Sequence, residues 1–433
     1  MRLIAAIVLG KFIAYLSRKF RIGGGSAAPG LFALRIDPEL IERLSKKIPK
    51  NIVITGTNGK TTTARMLAHF AKANGLKVIR NHTGSNLERG IASTLIQGVQ
   101  LTHPGGVLNR HLGIWELDEA AFNNVVPKLN PDIVVFLNVF RDQLDRYGEV
   151  DSVVKKWSET LRELPKQTLV LVNGDDVNCA KLNAAFKGTV YQFGVKDYKV
   201  TGESIGYKKE LEKLECEAIN VKLKGLSGSS FSVVIHDKPT PVFLPLPGIY
   251  HIYDFLAAFY LGHELGFSTK GMIKSLKNFS PAFGRVEKLD FGYIFLIKNP
   301  AGATQVFETI APNLKQHDRL LLALNDNIAD GTDVSWIWDG DFEELSLRGA
   351  KRRGNLDSVF VSGTRAYDLA VRLKYAGFDP KSIVVQPELE NALKQAKKGL
   401  KGNLFILPTY TAMLGLQKIL AKSGLKKHYW EEE

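Results

Sequence analysis

Only two cysteines occur in 433 residues, Cys179 and Cys216. A pair this far apart cannot build a disulfide framework and reads as reduced cytosolic thiols. Four thiolates for a zinc ribbon cannot be assembled either, so no structural zinc is expected. Long apolar runs are also missing. Leu3–Leu9 is apolar, and Phe12, Ile13, Tyr15 and Leu16 extend it past Lys11, but this falls short of the ~20 residues of a spanning helix. A signal peptide would place its charge before such a run, whereas Arg18, Lys19 and Arg21 follow this one. The chain is expected to stay in the cytoplasm. Internal repeats and long low-complexity tracts are absent.

What is present is ordinary for a globular protein: 45% hydrophobic and 24% charged residues, in a length that suits two or three domains. Lys+Arg 58 against Asp+Glu 44 gives +14, which points to an anionic partner or substrate. The excess is uneven, since residues 1–50 hold ten Lys/Arg and three Asp/Glu. Two readings of residues 1–21 stand: an interfacial helix touching anionic lipid at the inner face of the plasma membrane, or a helix whose apolar face packs on the protein body. No aromatic–basic motif accompanies the charge, so nucleic acid is not an expected partner.

Gly23-Gly24-Gly25-Ser26 and Pro29-Gly30 break the chain. A short helix over about Pro38–Lys47 precedes an alternation of apolar strands (Asn51–Ile54, Val78–Arg80, Gly113–Glu116, Ile133–Leu137, then 168–173) with helical stretches. That alternation predicts an α/β fold with a parallel sheet and crossover helices. Around 195–245 the pattern turns Lys/Glu-rich and β-branched, as expected of an inserted hairpin or small meander. From about 295 a second α/β pattern follows, with strands near Leu320–Leu324, Ser358–Val361 and Leu404–Leu407. The expected division is a basic apolar segment 1–48, a central α/β domain 49–292 and a C-terminal α/β, Rossmann-like domain 293–433.

Thr55-Gly56-Thr57-Asn58-Gly59-Lys60-Thr61-Thr62 follows a strand and opens a helix. Amides of such a loop and the helix N-terminus cradle phosphates, the Lys reaches the outer phosphates, and the hydroxyl holds Mg²⁺. Only two residues separate Gly56 from Gly59, against four in the general phosphate loop. With that spacing the loop resembles the one in the superfamily of Mur ligases and folylpolyglutamate synthases, which use ATP to convert a carboxylate into an acyl phosphate that an amine attacks. Glu116 in Trp115-Glu116-Leu117-Asp118-Glu119 resembles the superfamily's Mg²⁺ ligand at a strand end. Asn173-Gly174-Asp175-Asp176 and Gly284-Arg285-Val286-Glu287 are similar to its Asn-x-Asp-Asp turn and nucleotide-contacting Gly-Arg segment.

Further segments narrow the resemblance to the MurT family of synthetase subunits. These are Phe140-Arg141-Asp142-Gln143-Leu144-Asp145-Arg146-Tyr147-Gly148, Lys298-Asn299-Pro300-Ala301-Gly302, Leu324 through Asp333 with Ser335-Trp336-Ile337-Trp338-Asp339, and Leu407-Pro408-Thr409-Tyr410-Thr411. The resemblance implies ATP- and Mg²⁺-dependent amidation of the D-isoglutamate α-carboxylate of lipid II, with ammonia from a GatD-type glutaminase subunit. It implies Thr57, Asn58, Gly59, Lys60, Thr61 and Thr62 around the phosphates, Thr61 and Glu116 around Mg²⁺, and Arg285 on the nucleotide. Asp333 would complete the partner's Cys-His pair. His251 and Asp254 stand where relatives place two adenine-contacting Asn, in Gly248-Ile249-Tyr250-His251-Ile252-Tyr253-Asp254. Lys298 and Asn299 face ribose or the acyl phosphate on one reading and serve packing on the other.

The cysteines agree with a missing partner. Thiolate attack on glutamine needs an activated Cys, yet neither Cys179 nor Cys216 sits in a tight Gly-flanked turn, and Cys216 lies between Glu215 and Glu217. The seven acids of residues 326–344 fail the spacing of a Ca²⁺ hand; with Trp336 and Trp338 among them they read as a partner surface. Two alternatives stay open. One is a stand-alone amino-acid ligase, which the altered Gln143 and Lys298 motifs oppose. The other is a non-catalytic nucleotide-binding scaffold, which the intact Lys60, Thr61 and Glu116 oppose.

Overall fold

The computed structural model describes residues 1–20, 27–81, 85–99, 111–142, 150–196, 214–281, 285–346, 356 and 358–422. Along the first half run α1 (Arg2–Lys19), α2 (Ala28–Ile36), α3 (Leu40–Ser45), β1 (Lys50–Thr55), α4 (Lys60–Ala73), β2 (Lys77–Arg80), α5 (Glu88–Gly98), β3 (His111–Glu116), α6 (Glu119–Leu129), β4 (Ile133–Phe136), α7 (Val150–Glu163), β5 (Leu169–Asn173), α8 (Val177–Ala180) and β6 (Val190–Val195). There follow β7 (Cys216–Leu223), β8 (Ser229–Ile235), β9 (Lys238–Leu244), α9 (Ile249–Glu264) and α10 (Thr269–Ser275). The remainder contains β10 (Arg285–Leu289), β11 (Gly292–Phe295), α11 (Pro300–Ile310), β12 (Arg319–Ala323), β13 (Val359–Ser362), α12 (Ala366–Tyr375), β14 (Ile383–Val385), α13 (Leu389–Lys397), β15 (Leu404–Pro408) and α14 (Tyr410–Lys422).

The strands of the first sheet are near-continuous apolar runs because both faces are covered. Along β1, Ile52 and Ile54 join one core with α4 and α9, while Val53 between them joins the other with α3, α5 and α6. The strand period of two thus feeds two cores from one run of residues. Phe122, Phe136 and Trp157 meet at ring centroid distances of 5.1–5.6 Å in the second core. The strand order among the described residues is β2-β3-β1-β4-β5-β6-β7-β8-β9. Pairing is parallel from β2 to β7 and antiparallel from β7 to β9. The strands expected as an insertion therefore prolong the main sheet, since β7 pairs in parallel with β6 through Phe193–Cys216 and the two strands after it fold back as a meander.

The second sheet has the order β10-β11-β15-β12-β13-β14, parallel except for the β10–β11 hairpin. That hairpin straddles the division expected at 292/293. Leu320 and Leu322 point into one core with α11 and α12, and Leu321 into the other with α13 and α14. In the first sheet the chain leaves β1 toward β2 on one side and later returns to β4 on the other. The carboxyl end of β1 is thereby a switch point, where open α/β sheets bind ligands.

Candidate active site

The loop after β1 needs glycine at both ends. Gly56 has φ +140° and Gly59 φ +87°, values that side chains with a Cβ rarely adopt. A Cβ on Gly59 would also lie 2.2 Å from Asp254 Oδ1. Asn138, the second residue past β4, holds the loop between them. Its Oδ1 accepts from Asn58 N at 2.8 Å, its Nδ2 donates to Asn58 O at 3.0 Å, and its carbonyl accepts from Thr57 N at 3.0 Å. Asn138 escaped the sequence reading; its signal was a lone amide at the end of an apolar strand destined to lie beside β1.

Thr61, on the first turn of α4, donates its hydroxyl to Glu116 Oε2 at 2.7 Å. Glu116 ends β3, which lies beside β1 in register (Ile54 opposite Glu116), so strand pairing delivers the carboxylate to the foot of the loop. Arg80, at the end of β2, stands 3.3 Å from Glu116 Oε1. Asn81 grips the same residue's main chain, accepting from Glu116 N and donating to Glu116 O, both at 2.9 Å. Arg80 and Asn81 were not singled out from the sequence either. A hydroxyl and a carboxylate side by side form a hard-oxygen donor set that suits Mg²⁺, an ion that keeps waters and takes few protein ligands beside phosphate oxygens. Lys60 Nζ donates to the Gly56 carbonyl and to Thr57 O, with Glu119 Oε2 at 3.4 Å. The ammonium thus sits inside the loop's curve.

A cleft opens between the loop, the start of α9 and the second sheet, lined among others by Asn58, Gly59, Tyr250, His251, Asp254 and Lys298. His251 is buried, with Nδ1 2.7 Å from Pro247 O, and Asp254 accepts from Thr63 Oγ1 at 3.3 Å. Both positions expected near adenine therefore line the cleft, and Asp254 also reaches the phosphate loop. Thr62 is buried and lines it too. From across the cleft, Lys298 Nζ donates to Thr57 O and to Asp142 Oδ2, each at 2.9 Å. Asn299 caps α11 by accepting from Gly302 N at 2.8 Å. Its amide also pairs reciprocally with that of Asn58, at 3.1 and 3.2 Å. Both residues thus pack on the loop after β1, and Lys298 also lines the cleft. Arg285 opens β10; its side chain, Gly284 and residues 143–148 of the motif quoted above lie outside the described residues.

Beside this cleft Asp333 is exposed and accepts from Ser335 N at 2.8 Å. That amide, the Ser335 hydroxyl and Arg141 hold its carboxyl below the usual range. Asp333 shares a small depression with Arg141, Asp142, Lys298, Asn299 and Trp336. Trp338 is half exposed and meets Tyr375 edge-on at 5.7 Å. Tyr367, Val371 and Tyr375, spaced four apart on α12, are exposed as well. Asp330 instead turns inward and is held by Thr411. Both cysteines are buried; burial first, then Asp176 beside Cys179 and Glu217 beside Cys216, pushes each thiol up. Neither is poised as a nucleophile.

The family model of the Mur ligase middle domain matches residues 54–262, and that of the MurT ligase C-terminal domain matches 296–413. The chain is 30% identical over 436 residues to the lipid II isoglutaminyl synthase (glutamine-hydrolyzing) subunit MurT of Streptococcus pneumoniae, covering 93% of each. It belongs to the MurT family. The namesake subunit of Staphylococcus aureus (strain COL) is 29% identical, with 98% of this chain and 99% of that one aligned. The fold is that of Mur ligases: the ADP complex of MurF ligase from Thermotoga maritima superposes with a TM-score of 0.64 over 90% of this chain and 85% of that one, at 16% identity. As a MurT family member the protein is a ligase, and the word subunit in its relatives' names implies a second chain. Among the described residues no helix is long and apolar enough to cross a membrane.

Proposed function

We propose that this chain is the synthetase half of a two-subunit enzyme of the cytoplasm that amidates lipid II in peptidoglycan biosynthesis, seated peripherally at the inner face of the plasma membrane through residues 1–21. In this reading the α-carboxylate of D-isoglutamate attacks the γ-phosphorus of ATP, ADP leaves, and the acyl phosphate forms. Ammonia then attacks the acyl carbon, inorganic phosphate leaves, and loss of a proton gives D-isoglutamine. The ammonia comes from glutamine hydrolysed by a GatD-type partner, whose Cys-His pair Asp333 completes by orienting the His.

The observation that carries this reading is the convergence of Lys60, Thr61 and Glu116 on one loop that Lys298 and Asn299 reach from the second sheet. The loop amides and Lys60 hold phosphates, and Lys60 offsets the charge that builds on the transferring group. Thr61 and Glu116 would hold Mg²⁺, which when bound would supply further positive charge to the phosphates. His251 and Asp254 contact the base and Arg285 the nucleotide. The inter-sheet position supports closure on the substrate, which keeps water from competing with ammonia. Asp333 and the exposed aromatics around Trp338 support a partner docked on this edge, and the buried cysteines support a thiolate supplied from outside this chain.

The test is mass spectrometry of lipid II incubated with this chain, Mg²⁺-ATP and ammonium, and separately with a GatD-type partner and glutamine. Replacement of one hydroxyl by an amine in both arms is expected, with the glutamine arm dependent on the partner. Unchanged lipid II in every arm overturns the proposal. Dependence on an added amino acid in place of ammonia would favour the stand-alone ligase.

A further inference from the structure

Helix α1 is fixed to the body by one face. Ala6, Ile7 and Ala14 are buried there, and Gly10 crosses α5 so closely that a Cβ would stand 2.8 Å from Ile96 Cδ1. Helix α2 lies alongside and is pinned to α5 in the same way. Gly30 N donates to Ser93 Oγ at 2.8 Å, and a Cβ on Gly30 would meet Arg89 O at 1.9 Å. The seat is therefore built on close approach at two glycines, to the Ile96 side chain and to the Arg89 main chain, and what the pair turns outward is held in place. It turns out Ile4, Val8, Phe12 and Tyr15, with Leu31 and Phe32 of α2, all more than a third exposed. The α1 residues fall at steps of four, four and three, one stripe of a helix.

Charge selects what this face meets. Residues 1–36 contain six Lys/Arg and not one Asp/Glu. Lys19 Nζ lies 5.9 Å from the Tyr15 ring, and the Arg35 guanidinium 5.5 Å from the Phe32 ring, so cations flank the apolar stripe at its margins. Apolar centre, aromatic shoulder and cationic rim is the profile of a helix lying in the plane of an anionic bilayer. Each Lys or Arg near such a surface adds attraction that falls off within a Debye length.

We propose that the α1–α2 face docks on the surface of an anionic lipid bilayer, with Val8 and Phe12 inserted among acyl chains and Arg2, Lys19 and Arg35 at the headgroups. The surface extends beyond residues 1–21 to the second helix and requires both, because α2 supplies Leu31, Phe32 and Arg35. Helix α5 joins the two regions, since α1 and α2 both pack on it and its N-terminal end follows Asn86, which Asn81 ties to Glu116. A substrate tethered to lipid would thus enter from the bilayer side. The docking deepens the peripheral seat proposed above for residues 1–21, and this last step rests on the lipid II reading as well.

The test is sedimentation of the full chain with vesicles of phosphatidylglycerol and phosphatidylcholine in equal parts, and with phosphatidylcholine alone, in the absence of nucleotide and lipid II. Binding to the anionic vesicles is expected, weakened by added salt and at least about tenfold weaker on phosphatidylcholine. V8E/F12E should reduce anionic-vesicle binding by about tenfold or more, and L31E/F32E should do so independently. These residues are exposed, so thermal unfolding reports whether each variant is folded. No binding of the wild type to anionic vesicles, or equal binding by folded variants, overturns the proposal. So does a wild-type dimer that V8E/F12E converts to monomer without change in vesicle binding, since a second copy would then be the occupant. Loss of lipid II amidation with vesicle binding intact would count against the amidation reading alone.

Discussion

The ammonium of Lys298 donates to the main-chain oxygen of Thr57 at 2.9 Å, tying the second sheet to the phosphate loop of the first. The same ammonium neutralises Asp142, whose carboxylate is 5% exposed and whose Oδ1 has no hydrogen-bond partner among the described residues. One lysine thus couples a loop carbonyl, a buried acid and the geometry of the inter-sheet cleft.

Lys298→Met should therefore lower stability as well as nucleotide use. Breaking a buried pair costs ~3–5 kcal/mol; Lys298 is 28% exposed, which reduces the expected loss to about 2 kcal/mol. Adding Asp142→Asn removes the stranded charge, so the double variant should recover most of the melting temperature. It should not recover the KM for ATP, because the bond to Thr57 remains absent. Unfolding curves and ATP kinetics on the two variants check this, and an unchanged melting temperature in Lys298→Met would mean that the pair contributes nothing.

Asp333 makes its hydrogen bond to the Ser335 amide at the surface, so Asp333→Asn should leave folding intact. With the partner present, glutamine-driven amidation should fall by about a hundredfold or more while ammonium-driven amidation persists. Parallel assays with glutamine and with ammonium separate the cases. Equal loss in both would place Asp333 in the synthetase chemistry rather than opposite the partner's His.

Much of this arrangement was legible in the residues. Both sheets announced themselves through apolar runs alternating with helical segments, and strand ends were displaced by only a residue or two, as for β1 at Lys50–Thr55. Lys60, Thr61 and Glu116 were legible because a loop motif fixes the first two in sequence and a strand end the third. Asn138, Arg80 and Asn81 were not, because their roles arise from strand order. A lone Asn or Arg after an apolar strand carries no signal until β1, β3 and β4 are known to lie side by side. The placement of β7–β9 was hidden for the same reason, since a meander reads alike whether it stands apart or prolongs a sheet. Helix α1 was ambiguous because a single apolar run has a buried and an exposed side, Ala6 and Ile7 packing on the body while Val8 and Phe12 stay exposed.

Asp176 links stability to pH. Burial pushes its carboxyl up to about 6, against three backbone amides that pull it down, those of Asn178, Cys179 and Val139. A raised acid binds its proton more readily folded than unfolded, so its contribution is largest below about pH 4 and declines as pH rises through about 6. The whole decline is on the order of 2–3 kcal/mol. In Asp176→Asn the side chain is neutral throughout, and its amide nitrogen opposes one of the backbone donors. The variant should be less stable at pH 5, with the gap to wild type narrowing toward pH 7. Urea unfolding at both values measures the gap, and a constant gap would show that Asp176 does not titrate in this window.

Gly59 and Gly75 share a left-handed backbone, φ +87° and +79°, but differ in surroundings. A Cβ on Gly75 meets nothing within 4 Å, whereas one on Gly59 meets Asp254 Oδ1 at 2.2 Å. Gly75→Ala should therefore cost only backbone strain, ~1–2 kcal/mol, with ATP turnover unchanged. Gly59→Ala carries the same strain and must also displace Asp254 from the phosphate loop. A larger loss of stability and a fall in ATP turnover of about tenfold or more are expected. Shortening the obstructing side chain in Gly59→Ala/Asp254→Ala should return part of that stability, a coupling of ~1 kcal/mol or more in a double-mutant cycle. If the two substitutions are simply additive, the close approach of Asp254 to the loop is not what requires glycine at position 59, and left-handed strain alone accounts for it.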